Sequence, residues 1–452
     1  MAGRAKASLT TGKILPQLIR LTIPMMVGMV GMVVFNLADT FFIGQLGAEQ
    51  LAAMGFTFPV VMVLISISVG LGMGTSAVIS REIGKGSFKN VRHLATNSLL
   101  LGFPVVAIFA LAGSLTIEPL FRLLGAEGAT LSYIKEYMQI WYIGVPFVVI
   151  PMIGNNIIRA TGDMKTPGMI MVAIAGLNII LDPLLIFGLG PFPEMGIAGG
   201  ALATVFSRAV GMTIALVILA KREKIIRFAI PKARELIESW KKILYIGIPA
   251  GLARLVIPLS MGVVTRFVSE YGNSAVAGFG VACRLEALAM MLLMALSSVL
   301  IPFTGQNTGA GQKDRVLKAL KISYIFSLAW GGFMFVLFLL TGKFMAGLFN
   351  DDPSIVATVV LYLNMVSISY GFQGLMVVSS AALNGSHKPI HSAVLSMSRM
   401  FVFYIPLALI GSKLFDLKGI FMAGSIANFG AGLLSLFFVY RQIVQKRTKQ
   451  VL

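Results

Sequence analysis

Long apolar runs separated by short polar connections follow one another along the whole chain. Each run has about 20 residues or more, which is the length that an α-helix needs to cross a bilayer. A membrane β-barrel would instead show short segments of alternating polarity. The pattern therefore predicts an all-α polytopic membrane protein with twelve transmembrane helices, at 16–46, 51–80, 93–117, 131–158, 167–190, 196–220, 243–270, 274–303, 316–341, 355–384, 389–412 and 417–441.

The two halves of the chain repeat each other. Ile23-Pro24 matches Ile248-Pro249 at an offset of 225, and further landmarks follow at nearly the same offset, down to Pro183 and Pro406 at 223. Six helices per half is an even number, so both halves face the same way, as a parallel repeat around a central cavity. The predicted domains are an N-lobe at 1–220, a cytoplasmic linker at 221–242 and a C-lobe at 243–452. The linker is either a tether or a piece lying on the inner membrane surface.

Composition agrees with a membrane protein. The chain is 57% hydrophobic and 12% charged, whereas soluble domains average about 25% charged residues. The single cysteine, Cys283, excludes an internal disulfide and a thiolate metal site. The sequence shows no Walker motif and no constellation of nucleophile and base. We therefore expect no enzyme activity and no cofactor, and we expect transport to draw on an ion gradient.

The net charge of +19 reflects orientation in the membrane rather than nucleic-acid binding. Lys and Arg collect in alternate connections, around 81–92, 159–165, 221–242 and 313–321 and at both termini. The opposite side holds only Arg122, Lys135, Arg266, Lys343, Lys413 and Lys418. Basic residues accumulate on the cytoplasmic side. We therefore expect a multi-pass protein of the cell inner membrane with both termini in the cytoplasm, in contact with lipid, as a monomer.

Two carboxylates lie inside apolar runs, Asp39 in VGMVGMVVFNLADTFFIG and Asp182 in IAGLNIILDPLLIFG. A charge at the bilayer centre costs roughly 3 kcal/mol or more, so such residues usually serve an ion, a proton or a substrate. Asn178 precedes Asp182 by four residues and shares its helix face. Asp39 lies 15 residues after Pro24, and Asp182 lies 15 residues after Pro167. The two carboxylates are therefore expected at similar depth.

At equal depth the two carboxylates could share one proton or coordinate one small cation. Carboxylate, amide and carbonyl oxygens are ligands for a hard cation such as Na⁺, and a buried carboxyl equally suits proton binding. A structural polar pair that bridges the two helices is the alternative. The aligned positions in the second half are Val264 and Ile405, so the ion site is predicted in the N-lobe only.

Residues near Asp39 extend the candidate site. Phe35 and Asn36 lie one turn before it on the same face of the first helix. Pro24 lacks a backbone donor and can kink that helix, although a proline at a helix start is equally compatible with the pattern. Candidates for a substrate cavity are Met32, Phe35, Tyr142, Asn155, Tyr370 and Gln373, while helix–helix packing explains the same residues. Arg208, Arg254, Arg284 and Arg399 also fall within predicted spans, where snorkelling or pairing with acids is expected.

These segments resemble the MATE (multidrug and toxic compound extrusion) family over essentially the whole chain. The resemblance rests on TIPMMVGMVGMVVFNLADTFFIGQLGAEQLAAMGF, RATGDMKTP, LNIILDPLLIFG with GIAGGALAT after it, and IGIPAG. It implies two six-helix bundles around a V-shaped cavity, and export of organic, mainly cationic compounds, antibiotics among them, by antiport against H⁺ or Na⁺.

The same resemblance implies roles for individual residues. Asp39 would be the coupling acid, with Asn178 and Asp182 beside it and Thr204 on the next helix. The second half lacks the further acids that another branch of the family carries, apart from Glu286. The chain is thus more similar to the DinF-like branch, which is often described as proton-coupled. The alternative function is a flippase for a lipid-linked or polysaccharide precursor, whose pyrophosphate the arginines within the spans would accommodate.

Overall fold

The structure is a computed structural model that describes residues 8–226 and 231–445. The predicted basic positions before Ser8, Arg227 and those from Lys446 onward lie outside the described residues. Within the described ranges the chain is helical and contains no strand. The helices are α1 Ile14–Gly44, α2 Ala48–Gly84, α3 Phe88–Leu123, α4 Gly128–Ile143, α5 Pro146–Ala160, α6 Lys165–Ile186, α7 Gly196–Val217, α8 Ala233–Val268, α9 Asn273–Gly309, α10 Lys313–Gly347, α11 Pro353–Val366, α12 Tyr370–Gly385, α13 Pro389–Met397 and α14 Ile405–Val439.

Short irregular helices connect or extend several of these elements. Ser269–Tyr271 and Ser367–Ser369 are 3₁₀ turns. Ile218–Arg222, Ser398–Tyr404 and Tyr440–Val444 are π-helical. The π-helical hydrogen bond from i to i+5 widens the helix locally and is often found at functional sites.

The described residues form twelve membrane crossings. Ten continuous helical stretches are long and apolar enough to cross a bilayer, and α4 and α5, bent by 45°, together make another crossing. The longest stretch, Pro389–Ile443, has 55 residues, which is about 80 Å of helix against a hydrocarbon core of about 30 Å. Non-helical dihedral angles at Phe415 and Asp416 divide it into two crossings. The prediction of twelve transmembrane helices is confirmed.

The break at Phe415 and Asp416 is a sharp reversal of the chain. Asp416 has a φ of 52°, in the left-handed region that non-glycine residues rarely adopt. Gly411 and Gly419 on either side approach so closely that a Cβ atom on Gly419 would overlap the Gly411 carbonyl. The two crossings therefore run back along each other from this turn.

The chain forms two compact units. One contains Ser8 and Ile23–Gly251, and the other contains Leu9–Thr22 and the described residues from Leu252 onward. In the first unit α2 packs on α3, α4 and α5, and α6 packs on α7. In the second unit α12 lies at the centre and contacts α9, α10 and α14. The lobe boundaries at 220 and 243 stay a prediction.

Glycines set the close approach of α1 and α6. A Cβ atom on Gly28 would come within 2.9 Å of the Gly168 Cα, and one on Gly168 would overlap the Pro24 carbonyl. Pro24 lies inside α1, which continues from Ile14 to Gly44 without a break. The contact holds the two helices that carry Asp39 and Asp182 side by side.

The predicted linker at 221–242 is largely integrated into the first unit. From Ala233 onward it forms the start of α8 rather than a separate surface helix. Asn97 on α3 donates to the Ser239 hydroxyl at 2.9 Å, and Trp240 donates to the Asn97 carbonyl at 2.9 Å. These two hydrogen bonds attach this stretch to α3, while Ile237 in the same stretch is 50% exposed. Whether the linker is a tether or lies on the inner membrane surface stays a prediction.

Candidate functional site

The candidate site in the first unit lies where α1, α6 and α7 meet. Asp39 on α1 is 7% exposed, and Asn178 and Asp182 on α6 are fully buried. Thr204, on α7, is buried as well. Asp39 and Asp182 lie within electrostatic range of each other. The structure thus brings together four of the five residues predicted for ion coupling.

Asn178 connects the two sides of this cluster. Its Nδ2 group donates to Asp182 Oδ1 at 3.1 Å and to Thr204 Oγ1 at 3.4 Å. One hydrogen bond follows the helix from i to i+4, and the other crosses from α6 to α7. Close packing between the two helices makes the second bond possible, because the Gly199 Cα on α7 lies against the Leu185 carbonyl on α6.

Three buried oxygen atoms of the cluster have no hydrogen-bond partner among the described residues. They are Asp39 Oδ1, Asn178 Oδ1 and Asp182 Oδ2. Burying a polar atom without a partner is costly. Two carboxylate oxygens and one amide oxygen are ligands that a hard cation accepts. A proton on either carboxyl would likewise provide a donor for one of these acceptors.

Arg208 is a positive charge that acts on this cluster. It follows Thr204 by one turn on α7, and its guanidinium lies 5.9 Å from the centre of the Phe35 ring. Arg208 is within electrostatic range of Asp39 and of Tyr137 on α4. The buried cluster thus contains two carboxyl groups, those of Asp39 and Asp182, and one positively charged side chain, that of Arg208. Sequence reasoning identified Arg208 only as one of four arginines within spans, and it missed Tyr137.

Several predicted cavity residues lie elsewhere. The Asn36 side chain is exposed. Its backbone carbonyl accepts a hydrogen bond from the Thr40 hydroxyl at 2.8 Å. Asn36 therefore lies outside the buried cluster, because α1 buries position 35 and not position 36; its role in ion coupling stays a prediction. Met32 is half-buried on the same helix.

Tyr142 and Asn155 belong to the packing of the first unit. Tyr142 is 3% exposed, sits edge-on to Trp141 and fills the space beside Gly113. Asn155 is nearly buried, and its Oδ1 has no partner among the described residues. Tyr142 is thus a core residue here, while Asn155 keeps an unsatisfied acceptor.

Gln373 and Tyr370 lie in the second unit, within a buried polar network. Gln373 Nε2 donates to Glu286 Oε1 at 3.1 Å, and the Tyr362 hydroxyl donates to Glu286 Oε2. Asn428 Nδ2 donates to Ser369 Oγ at 2.8 Å and weakly to Gln373 Oε1 at 3.5 Å. The Tyr370 hydroxyl is buried without a partner among the described residues. The predicted cavity residues thus form two separate groups, one in each unit.

Twelve helical crossings, with carboxylates and polar networks buried inside them, define the class of the protein. It is a polytopic α-helical membrane protein. No group of three or more His, Cys, Asp or Glu residues that could hold a metal ion occurs in the described ranges.

Comparisons with known proteins identify the family. The MatE family model matches residues 24–184 and 249–410. The chain is 38% identical to the FAD transporter of Shewanella oneidensis over 94% of each chain, and 30% identical to the probable multidrug resistance protein YpnP of Bacillus subtilis over 91% of each. The chain therefore belongs to the MATE family, whose members are transporters and not enzymes.

Solved structures agree with this assignment. The Vibrio cholerae MATE transporter VcmN in its bent form has a TM-score of 0.90 at 30% identity over 98% of both chains. A MOP superfamily transporter from Pyrococcus furiosus, whose binding pocket is described as having reverse polarity, has a TM-score of 0.86 at 28% identity over 97% of both chains. Family model and solved structures thus cover both halves of the chain.

Proposed function

We propose that this protein exports small organic molecules across the cell inner membrane by antiport, driven by entry of H⁺ or Na⁺. The observation that carries the proposal is the set of unpartnered oxygens of Asp39, Asn178 and Asp182. Such atoms favour binding of a proton or a small cation in the middle of the first unit. Relatives named as multidrug export proteins support the transport role.

Ion binding at this cluster would change the position of α1. A bound proton or Na⁺ compensates one of the two negative charges of Asp39 and Asp182 and weakens the attraction between Asp39 and Arg208. Pro24 lies 15 residues before Asp39, and it lacks the backbone hydrogen bond that would otherwise stiffen α1. We therefore place the hinge of α1 at Pro24, where the helix contacts Gly168. Bending there would displace the bound substrate in an alternating-access cycle.

Coupling requires that the ion and the substrate weaken each other's binding. This effect is reciprocal, because the same coupling free energy appears in both affinities. An ion that lowers substrate affinity is therefore itself released when substrate binds. We expect both termini to lie in the cytoplasm and the protein to work as a monomer.

The substrate has two candidate classes. Organic cations are suggested by the relatives named as multidrug export proteins, which are 26–28% identical to this chain. An organic anion such as flavin adenine dinucleotide is suggested by the relative that is 38% identical. One structural observation favours the anion. Away from the ends of the crossings, the described helices of the second unit carry Arg254, Arg284 and Arg399 but one acid, Glu286. The flippase hypothesis shares this anionic chemistry.

Transport into liposomes that contain the purified protein tests the proposal. A proton gradient and a Na⁺ gradient would be imposed separately, with a fluorescent cation and with flavin adenine dinucleotide as substrates. We expect one gradient to drive uptake of one substrate, and we expect Asp39→Asn to abolish it. Transport that depends on neither gradient would overturn ion coupling.

A further inference from the structure

Arg399 occupies an unusual position in the second unit. It lies in the π-helical segment Ser398–Tyr404, ten residues after the start of its crossing at Pro389, and thus about 15 Å along the helix. Its side chain is half-buried. No acid forms an ion pair with it in the part of the chain that the structure describes. An arginine at this depth without an acidic partner is expensive and indicates function.

One nitrogen of the Arg399 guanidinium, Nε, makes a hydrogen bond within the protein. Its Nε donates to Asn428 Oδ1 at 2.8 Å. The two terminal nitrogens, Nη1 and Nη2, make no hydrogen bond to the described residues. A guanidinium fixed at Nε presents its two terminal N–H groups in parallel, which is the geometry that binds phosphate or carboxylate in a bidentate manner.

A chain of amides fixes the orientation of Asn428. Asn428 donates to Ser369 at 2.8 Å and to Gln373 at 3.5 Å, and Gln373 donates to Glu286 at 3.1 Å. Arg399 can only donate, and an ionised Glu286 can only accept. Every amide between them therefore has a single favourable direction, and the network holds Arg399 in place.

Glu286 is better suited to this structural task than to binding a cation. Both of its oxygens already accept a hydrogen bond, one from Gln373 and one from Tyr362. The Asp39 and Asp182 carboxyls in the first unit, in contrast, each keep an oxygen without a partner. The two acidic sites are thus built differently, one saturated by donors and one open to an ion.

We propose that Arg399 binds a phosphate or diphosphate group of the transported substrate through Nη1 and Nη2, and that Asn428, Gln373 and Glu286 position it. The inference rests on the proposed transport function and deepens it, because it assigns the anionic part of the substrate to the second unit. A dinucleotide and a lipid-linked diphosphate share this chemistry.

Equilibrium binding to the purified full-length protein in lipid nanodiscs tests the assignment. Flavin adenine dinucleotide carries the diphosphate, and riboflavin is the same ring system without it. We expect Arg399→Gln to weaken binding of the dinucleotide at least tenfold and to leave riboflavin binding unchanged. Arg399→Lys keeps the positive charge but lacks the two parallel N–H groups, so its affinity should lie between those of Arg399→Gln and the wild type. Arg266→Gln removes a charge from the outer end of α8 and is the matched control.

The positioning role of Glu286 has its own readout. Glu286→Gln should weaken dinucleotide binding less than Arg399→Gln does, again without a change for riboflavin. Thermal unfolding of each variant separates this result from misfolding. Equal loss of both ligands would show a merely structural role and would overturn the assignment.

Two further outcomes distinguish the sources of the phosphate. If the wild-type protein binds an isoprenoid diphosphate but not the dinucleotide, with the same dependence on Arg399, the assignment holds for a lipid-linked substrate. If it binds neither, or if Arg399→Gln binds the dinucleotide as the wild type does, the assignment is wrong. Binding is measured without a gradient, so failure of ion coupling, as in Asp39→Asn, does not affect this test.

Discussion

Asp39 and Asp182 have different surroundings although they belong to one cluster. Asp182 accepts a hydrogen bond from Asn178, which neighbours it on α6, whereas Asp39 on α1 faces the charge of Arg208 across the packing of α1 and α7. The cluster therefore joins a side on α6 and α7, linked by the hydrogen bonds of Asn178, to a side on α1 that the proposed bending at Pro24 would move. An ion bound between them would sense the position of α1.

Substitution of Asp39 should separate folding of the protein from its coupling to the ion gradient. Asp39→Asn keeps the size of the side chain but cannot ionise, so the variant should insert into the membrane while gradient-driven transport is lost. Transport and expression level measured together in liposomes check this. The change Asn36→Asp, which adds an acid one turn away at an exposed position, should not restore transport.

Asp163 is expected to contribute to the stability of the folded protein. Its carboxylate accepts from the Thr166 amide at 3.0 Å, from the Thr166 hydroxyl at 2.6 Å and from Arg222 at 2.5 Å. Burial opposes its ionisation, but these hydrogen bonds outweigh burial and lower the pKa of Asp163. Asp163→Ala should cost about 1–2 kcal/mol, as for the loss of a helix cap.

The pH dependence of this contribution follows from the lowered pKa. A depressed pKa stabilises the folded state above the unfolded pKa of about 3.9, and this stability is lost as the pH falls through the folded value. The difference in melting temperature between wild type and Asp163→Ala should thus be constant from pH 6 to 8 and shrink below about pH 4. A difference that grows on acidification would contradict the assignment.

Some of the site was predictable from sequence, and the reason is physical. A carboxylate within an apolar run is costly whatever the helix packs against, so Asp39 and Asp182 can be identified as candidate site residues from the sequence alone. Tyr137, and the link from Arg399 to Glu286, depend on contacts between helices far apart in the chain. The direction of Asn36 depends on which side of α1 faces the unit, and helical spacing alone leaves this open.

At the scale of elements, paired glycines allow the close crossing of α2 and α8. Gly70 and Gly74 on α2 lie against the backbone of α8, where a Cβ atom on Gly70 would overlap Gly247 and one on Gly74 would overlap Ile243. The GLGMG run at 70–74 therefore serves helix packing. Small residues let helix backbones approach closely in membranes.

Substitution on α2 tests this crossing with a matched control. Gly70→Val would force the backbones of α2 and α8 apart, so a large loss of thermal stability is expected. Gly55→Val adds the same side chain to the same helix at a place with nothing within 4 Å, so it should be tolerated. Equal melting temperatures of the two variants would contradict the crossing.

The position of each helix was predictable from hydropathy, but its internal irregularities were not. Apolar runs predict a crossing because every backbone polar group must be satisfied within the helix. The bend between α4 and α5 and the π-helical turn at Arg399 leave the apolar pattern intact. The reversal at Asp416 is marked only by a short polar stretch, and its left-handed backbone is unusual for an aspartate.

At the scale of the whole molecule, charge placement predicts orientation. Lys318 and Lys343 are exposed near opposite ends of α10. In a Cys283→Ser background, Lys343→Cys should react with an impermeant maleimide from outside intact cells. Lys318→Cys should react only after permeabilisation. The reverse pattern would show that the orientation is inverted.

The central claim, that ion and substrate displace each other, has a direct test. Substrate would be added to purified protein in weakly buffered solution, while a pH indicator and radioactive Na⁺ report release of each ion. We expect release of one of the two ions from the wild type and none from Asp39→Asn or Asp182→Asn. Saturating substrate binding with no release of either ion would contradict antiport through this site.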